Sequence, residues 1–413
     1  MNILVIGNGF DLAHGLPTKY GDFLEFVKVI RQVIKIRNRD DLLNIHWGNV
    51  NPQIKKLVIH RRENINENIP SQEQICYELL DQNFWIDYFL QCNMYQKENW
   101  IDFESEISNV IQSVDIGMKK RFDNVNSIIS GLENSFLSKF FLNNQHDLLG
   151  EVVSGKKMVK KKEFITYNHL IERLENDLDR LILALNKYLI KYVQEIDIDV
   201  LSPDLSEIYP DKVLSFNYTN TYQKIYDEEN WCKYDYVHGK VCRDINHHMN
   251  NMVLGIDEYL EGDRKDKELD FIAFKKYYQR IYKQTGCAYR EWVDEIPIYK
   301  PILNRSSKVF SENGRKKVEY KQGHHHNLFV FGHSLDVTDK DILRDLILND
   351  NVHTTIYYNK SYDKDGVDDN GRKSLCEKIA NLVKVIGQDE LIRRTGGNTK
   401  TIEFKLQQDM VEM

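Results

Sequence analysis

The sequence predicts an α/β fold, with a mostly parallel, Rossmann-like sheet interrupted by a large α-helical insertion. Three observations predict it. The chain opens on a short apolar run, Asn2-Ile3-Leu4-Val5-Ile6, which stops at Gly7-Asn8-Gly9 and gives way to a helical pattern. Comparable apolar runs return at Lys212–Phe216, Tyr234–Val237, Leu328–Phe331 and Thr354–Tyr358, with helical or polar stretches between them. From about residue 30 to about 204, in contrast, apolar residues follow helical spacing and strand patterns are scarce. Short apolar strands alternating with helices are characteristic of a parallel sheet covered on both faces.

Taken in order, residues 2–6 read as a buried strand because the run is apolar and rich in β-branched side chains. Glycines at 7 and 9 permit a tight turn and a close backbone approach, and Gly15-Leu16-Pro17-Thr18 closes the loop. Phe23, Phe26, Val27, Ile30, Val33 and Ile34 then recur at helical intervals on one amphipathic helix. Farther on, Trp85, Tyr88, Phe89 and Trp100 suggest aromatic packing between helices. Leu170, Leu174, Leu178, Leu181, Leu185 and Tyr188 draw an apolar stripe, either bundle core or a seam for a partner helix. Residues 258–325 are charged and aromatic, helical around Phe271–Ile281, and read as an insertion or lid. Asp339–Leu348 reads as a helix, and a helical tail follows from about Lys373. The expected division is therefore a sheet-bearing domain, 1–29 with 205–413, and a helical insertion domain, 30–204.

Composition excludes several classes. A chain of 413 residues that is 41% hydrophobic and has seven prolines buries a sizeable core and is globular rather than disordered. The net charge of −7 disfavours a dedicated nucleic-acid binder. No apolar run reaches the ~18 residues of a membrane span, and no basic secretory-type lead opens the chain, so a cytoplasmic location away from membranes is expected. Six cysteines, at 76, 92, 232, 242, 287 and 376, form no C-x-x-C pair and read as free thiols. Lysines 156, 157, 160, 161 and 162 read as a solvated loop, with nucleic-acid contact as the alternative. Asp102 and Glu106, one helical turn apart, are surface charge or a carboxylate pair for a divalent ion. His324-His325-His326 reads as an exposed polar loop. No metal site is expected.

The residues placed directly after the strands carry the chemistry. Ligands of doubly wound sheets bind beyond the carboxyl ends of the strands. Gly7-Asn8-Gly9-Phe10-Asp11, Ser215-Phe216-Asn217-Tyr218, Val237-His238-Gly239 and Phe331-Gly332-His333-Ser334-Leu335 are thus expected to converge on one crevice. The first loop is not a G-x-G-x-x-G fingerprint, since Leu12 stands where the third glycine belongs. Gly7-x-Gly9 followed by Gly15-x-Pro17 resembles instead the glycine loop of the sirtuin (SIR2) fold. The order that follows, Asn217, then His238 after 21 positions (238 − 217), then Gly332-x-Ser334-Leu335, is similar to SIR2-like domains as well. The fuller string from Gly7 to Tyr20, with Asn217-Tyr218-Thr219-Asn220 and Phe331–Asp336, resembles the AbiH family of bacterial phage abortive-infection proteins.

These resemblances imply a SIR2-type pocket for NAD+, taken as substrate. They imply nucleotide contacts from Gly7, Asn8, Gly9, Phe10, Pro17, Gly332, His333 and Ser334, with Tyr20 over the base. Asn217 and His238 would lie at the nicotinamide ribose, and Asp11 at the carboxamide or the ribosyl cation. An imidazole suits a base near neutral pH, and an amide donates and accepts at once, so it can orient water. The implied function is an abortive-infection effector that hydrolyses NAD+, working as a homo-oligomer or with a partner protein of a defence system. Two departures bear on it. Thr219 stands where sirtuins carry Asp, and the four-cysteine zinc module is missing, which argues against a peptide deacylase. The competing readings are a non-catalytic NAD+ or ADP-ribose sensor and a metal-dependent nuclease or RNA-targeting toxin.

Overall fold

The structure, a computed structural model, describes residues 1–36, 44–63, 78–98, 100–119, 132, 134–143, 167–243, 250–296, 308–312, 315–319, 326–360, 369–397 and 400–413. The lysine run at 156–162, Cys76, His324 and His325 lie outside the described residues. Two compact units emerge. One comprises Met1–Gly15, Ile198–Val237 and Gly286–Met413, the other Leu16–Asp197 and His238–Thr285. Residues 16–29 and 238–285, which the sequence reading assigns to the sheet-bearing domain, cluster with the helices, and 198–204 with the sheet.

In the first unit six strands form one sheet: β1 (Asn2–Ile6), β2 (Lys212–Ser215), β3 (Lys233–Tyr236), β4 (His326–Phe331), β5 (Val352–Tyr358) and β6 (Ile402–Leu406). All pair in parallel, in the order β3-β2-β1-β4-β5-β6. This is the doubly wound, Rossmann-like order, whose topological switch lies between β1 and β4. The apolar runs explain it, because a central parallel strand must be apolar on both faces. Ile3 and Val5 share one core with Leu214, Leu328, Val330 and Ile356, into which the helices Lys340–Ile347 and Arg372–Ile386 send Leu343, Leu346, Leu382 and Val385. Leu4 and Ile6 face the other way, onto Phe10, Val213, Tyr222, Phe331 and Tyr357. The period-2 alternation of side chains places successive residues in opposite cores.

The strand expected at Thr354–Tyr358 is β5, which begins at Val352. The helical tail from about Lys373 is correct through Thr395, but it does not run to the end. Ile402–Leu406 returns as β6, pairing Thr354–Tyr358 with Ile402–Leu406. Its sequence, Ile402-Glu403-Phe404-Lys405-Leu406, alternates apolar and charged residues as an edge strand does.

The second unit is helical: Tyr20–Val33, Pro52–Glu63, Phe84–Gln91, Phe103–Lys119, Ser135–Asn143, Tyr167–Lys191 and Lys276–Tyr282 among others. The stripe Leu170 to Tyr188 is buried along its length, so it is core rather than an open seam. Phe84–Gln91 begins at Asn83, whose side chain accepts from the Ile86 N–H. It is held to the long helix by the Trp85 indole on the Leu174 carbonyl (2.8 Å) and the Phe84 N–H on Asp177 (2.9 Å). Trp85 is fully buried, whereas Trp100 is 53% exposed and does not join the aromatic packing.

Candidate functional site

At the switch point the loops after β1 and β4 meet through glycines. The Gly7 N–H donates to the Phe331 carbonyl (3.3 Å) and the Gly9 N–H to the Gly332 carbonyl (2.8 Å). Gly9 lies in the first turn of the helix Asn8–Ala13, so Gly332 satisfies a donor that a helix start leaves without an intrahelical partner. Gly332 sits at φ +68°, and a Cβ there would lie 2.1 Å from the Phe10 nitrogen. A Cβ on Gly7 or Gly9 would likewise fall under 3 Å from the β4 loop. These glycines let two backbones pack directly, and the Gly7 and Gly9 N–H groups point into that contact.

The loop after β4 is tied on its other side. His333 is buried, its Nδ1 accepting the Leu335 N–H (2.9 Å) and its Nε2 lying 3.4 Å from the Asp339 carboxylate. Nδ1 is thereby an acceptor, which leaves the ring proton of a neutral imidazole on Nε2 toward Asp339. Phe216 packs on the ring with centroids 4.2 Å apart. Leu335, fully buried, holds φ +61°, a conformation that a branched side chain adopts only under local constraint. From the helix Arg372–Ile386, Lys378 Nζ donates to the His333 carbonyl (2.6 Å) and Asn381 to the Ser334 carbonyl (3.0 Å). Ser334 and Asn8 are exposed.

A polar cluster lies where β1 and β2 end. Asp11, in the helix Asn8–Ala13, is 1% exposed. The Thr219 hydroxyl donates to its Oδ2 (2.6 Å), and Thr221 donates to Thr219 (3.0 Å). Asn217 is held by Ser215, whose hydroxyl accepts the Asn217 N–H (3.2 Å) and donates to its carbonyl (3.1 Å). The Asn217 side chain lies close enough to Asp11 to favour the carboxylate. Even so, Asp11 Oδ1 and both amide atoms of Asn217 are buried and complete no hydrogen bond of normal geometry among the described residues. Burial raises the Asp11 pKa from 3.8 to about 6, against the opposing effects of Thr219, Thr221 and Asn217. The charge of Asp11 registers in turn on Tyr236 at the end of β3, whose phenol is pushed up by burial first and by Asp11 second.

Phe10 points into the core, packed on His14 (4.4 Å between centroids), Tyr222, Tyr226 and Phe331. His14 lies 2.7 Å from the Phe10 carbonyl through Nδ1 and 2.9 Å from the Tyr226 hydroxyl through Nε2. Tyr226 also accepts the Ser202 N–H (2.7 Å). Burial lowers the His14 pKa and raises that of Tyr226 to about 12, so both are neutral at physiological pH.

The remaining expected site residues belong to the helical unit. His238 is buried, and its carbonyl accepts the Val253 N–H (2.8 Å). Gly239 behind it holds φ +76°, where a Cβ would meet the Asn251 carbonyl at 2.0 Å. The Pro17 carbonyl accepts from the Tyr188 hydroxyl (2.8 Å), and Tyr20 stacks on Phe103 (4.2 Å, 10°). Asp102 caps its helix by accepting the Glu104 N–H (3.0 Å), while Glu106 accepts from Tyr88 (3.1 Å).

Thr221 and His14 are polar groups that sequence reasoning did not name, and Thr219 it named only as standing where a sirtuin carries Asp. Thr219 and Thr221 share a spacing of two just past a strand end, which is the signal that could have found them; a lone His14 offers none. Compared with known proteins, the model of the family described as bacteriophage abortive infection AbiH matches residues 3–359. No curated protein and no solved structure matches the chain.

Proposed function

The chain belongs to the bacteriophage abortive infection AbiH family, and from that premise we propose that it is an effector that hydrolyses NAD+ at the carboxyl end of its sheet. The observation that carries this reading is that an Asp11 carboxylate oxygen and the Asn217 amide are buried near one another with no hydrogen bond of normal geometry completed among the described residues. A carboxylate oxygen and a whole amide buried without hydrogen bonds are expensive in a folded protein, each such group costing about 1–3 kcal/mol. Groups kept in that state at the carboxyl end of an α/β sheet, with a pKa moved toward neutrality, support the reading of a functional site there.

The chemistry follows from the groups. When the bond between C1′ of the ribose and the nicotinamide nitrogen breaks, the electron pair leaves with nicotinamide, which departs neutral. Positive charge develops on the ribose as in glycoside cleavage. Asp11, ionised above about pH 6, offsets that charge, in a site where burial strengthens the interaction. Asn217 orients the water that adds to C1′, and a base takes the water's proton, the role that the sequence reading gives to His238. Thr219, standing where a sirtuin carries Asp, donates to Asp11, so the carboxylate of the pocket comes from the β1 loop.

The test is nicotinamide release from NAD+ by the full-length protein, with Asn217→Ala and His238→Ala alongside. Turnover is expected for the parent and lost in both variants, with their circular dichroism unchanged. The near-complete burial of Asp11 and Asn217 favours a second reading, a sensor that binds NAD+ without cleaving it. Thermal stabilisation by NAD+ without nicotinamide release would establish that one, and neither effect would remove both.

A further inference from the structure

Four buried cations among the described residues are matched by carboxylates. Lys212 meets Glu295, Lys275 meets Glu258 (2.8 Å), Lys276 meets Glu104 (2.6 Å), and Arg394 meets Glu390 (3.0 Å). Such pairing is the rule, because an ammonium removed from water without an opposite charge is costly. Lys378, which is half-buried, has a different partner. Its Nζ donates to the neutral His333 carbonyl (2.6 Å), and no carboxylate lies within ion-pair distance of it among the described residues. Burial lowers its pKa to about 8, and Glu377, beside it on the same helix, offsets only part of that effect.

Its position gives the charge a purpose. Helix Arg372–Ile386 follows β5, so its first turns lie at the carboxyl end of the sheet. There Lys378 reaches the loop after β4, which itself packs against Gly7 and Gly9. The glycine-loop amides that ordinarily cradle phosphate are in part engaged, since Gly7 donates to Phe331 and Gly9 to Gly332. Negative charge arriving at this end of the sheet therefore needs a side-chain donor.

We propose that Lys378 is the cationic contact for the diphosphate of a nucleotide bound at the carboxyl ends of β1 and β4. The inference rests on the nucleotide reading of the site, but not on bond cleavage. An ammonium with two further donors, already partly removed from water, gains a charged partner at a reduced desolvation cost.

The experiment is calorimetric titration of the full-length protein, its Lys378→Met variant and its Lys378→Arg variant with ADP and with adenosine. Loss of a hydrogen bond to a charged group weakens binding by roughly 10- to 100-fold. That loss is expected for ADP with Lys378→Met, with adenosine affinity unchanged and most ADP affinity kept by Lys378→Arg. Equal weakening of ADP and adenosine would show that Lys378 only anchors the β4 loop and would overturn the proposal, as would unchanged ADP binding. A parent protein that binds neither ligand overturns the nucleotide reading along with it. ADP binding that depends on Lys378, with no nicotinamide release from NAD+, upholds this site and removes the cleavage reading alone.

Discussion

Replacing Asp11 with Asn removes a charge that the fold holds at a disadvantage. The carboxyl titrates at about 6 in the folded protein against the ordinary 3.8. Below pH 3.8 it is neutral whether the chain is folded or not, and it costs nothing. As pH rises toward 6 the unfolded chain gives up this proton while the folded chain keeps it, so stability falls. Above 6 both states are ionised and the loss levels off, at about 3 kcal/mol for a gap of this size. Asn has nearly the same shape as the protonated acid, and its oxygen still accepts from Thr219. Asp11→Asn is therefore expected to be more stable than the parent by about 2–3 kcal/mol at pH 7.5, a gain that shrinks to about 1 kcal/mol at pH 4.5. For a unit of this size that is roughly 5–10 °C in melting temperature at the higher pH. Melts at pH 4.5, 6 and 7.5, followed by circular dichroism, measure the difference directly. The same variant should lose NAD+ turnover, and the parent's kcat/KM should rise with pH through about 6 as Asp11 ionises. A variant destabilised equally at pH 4.5 and 7.5 would refute the reasoning, since the carboxylate would then be a well-satisfied structural group.

Two further substitutions probe the surroundings. Thr219→Val removes the hydroxyl that favours the Asp11 carboxylate, so the acid limb of the pH–rate profile should move upward, with Thr219→Ser restoring it. Gly332→Ala places a Cβ 2.1 Å from the Phe10 nitrogen at φ +68°, and should lower stability by about 3 kcal/mol or more, seen as an earlier melt without added ligand.

The strands were legible because a parallel strand buried on both faces must be a continuous apolar run. Ile3–Ile6 and Leu328–Phe331 meet that demand, and Val213-Leu214 does so in the middle of its strand. β6 at Ile402–Leu406 was the exception. It lies at the sheet edge, where alternation replaces a solid run, and it follows two helices that make the tail look uniformly helical. The strand-end residues could be named from the sequence for the same reason the strands could, since polar residues after a buried strand fall at the ligand end of the sheet.

What each of those residues does there was decided by contacts between distant parts of the chain. Two glycines in a strand-to-helix turn look alike whether they cradle phosphate or let loops touch. Only the approach of Gly332, more than three hundred positions away, turns the Gly9 N–H inward. Asp11 has an ordinary carboxyl in the sequence. Its pKa and its partner both come from burial beside Thr219, 208 residues on. The sequence by itself determined five of the six segments that pair into the sheet and which residues follow their carboxyl ends, because hydrophobic periodicity is a local property. Desolvation and hydrogen-bond geometry depend on whatever folds against a group, and tertiary structure alone decided those.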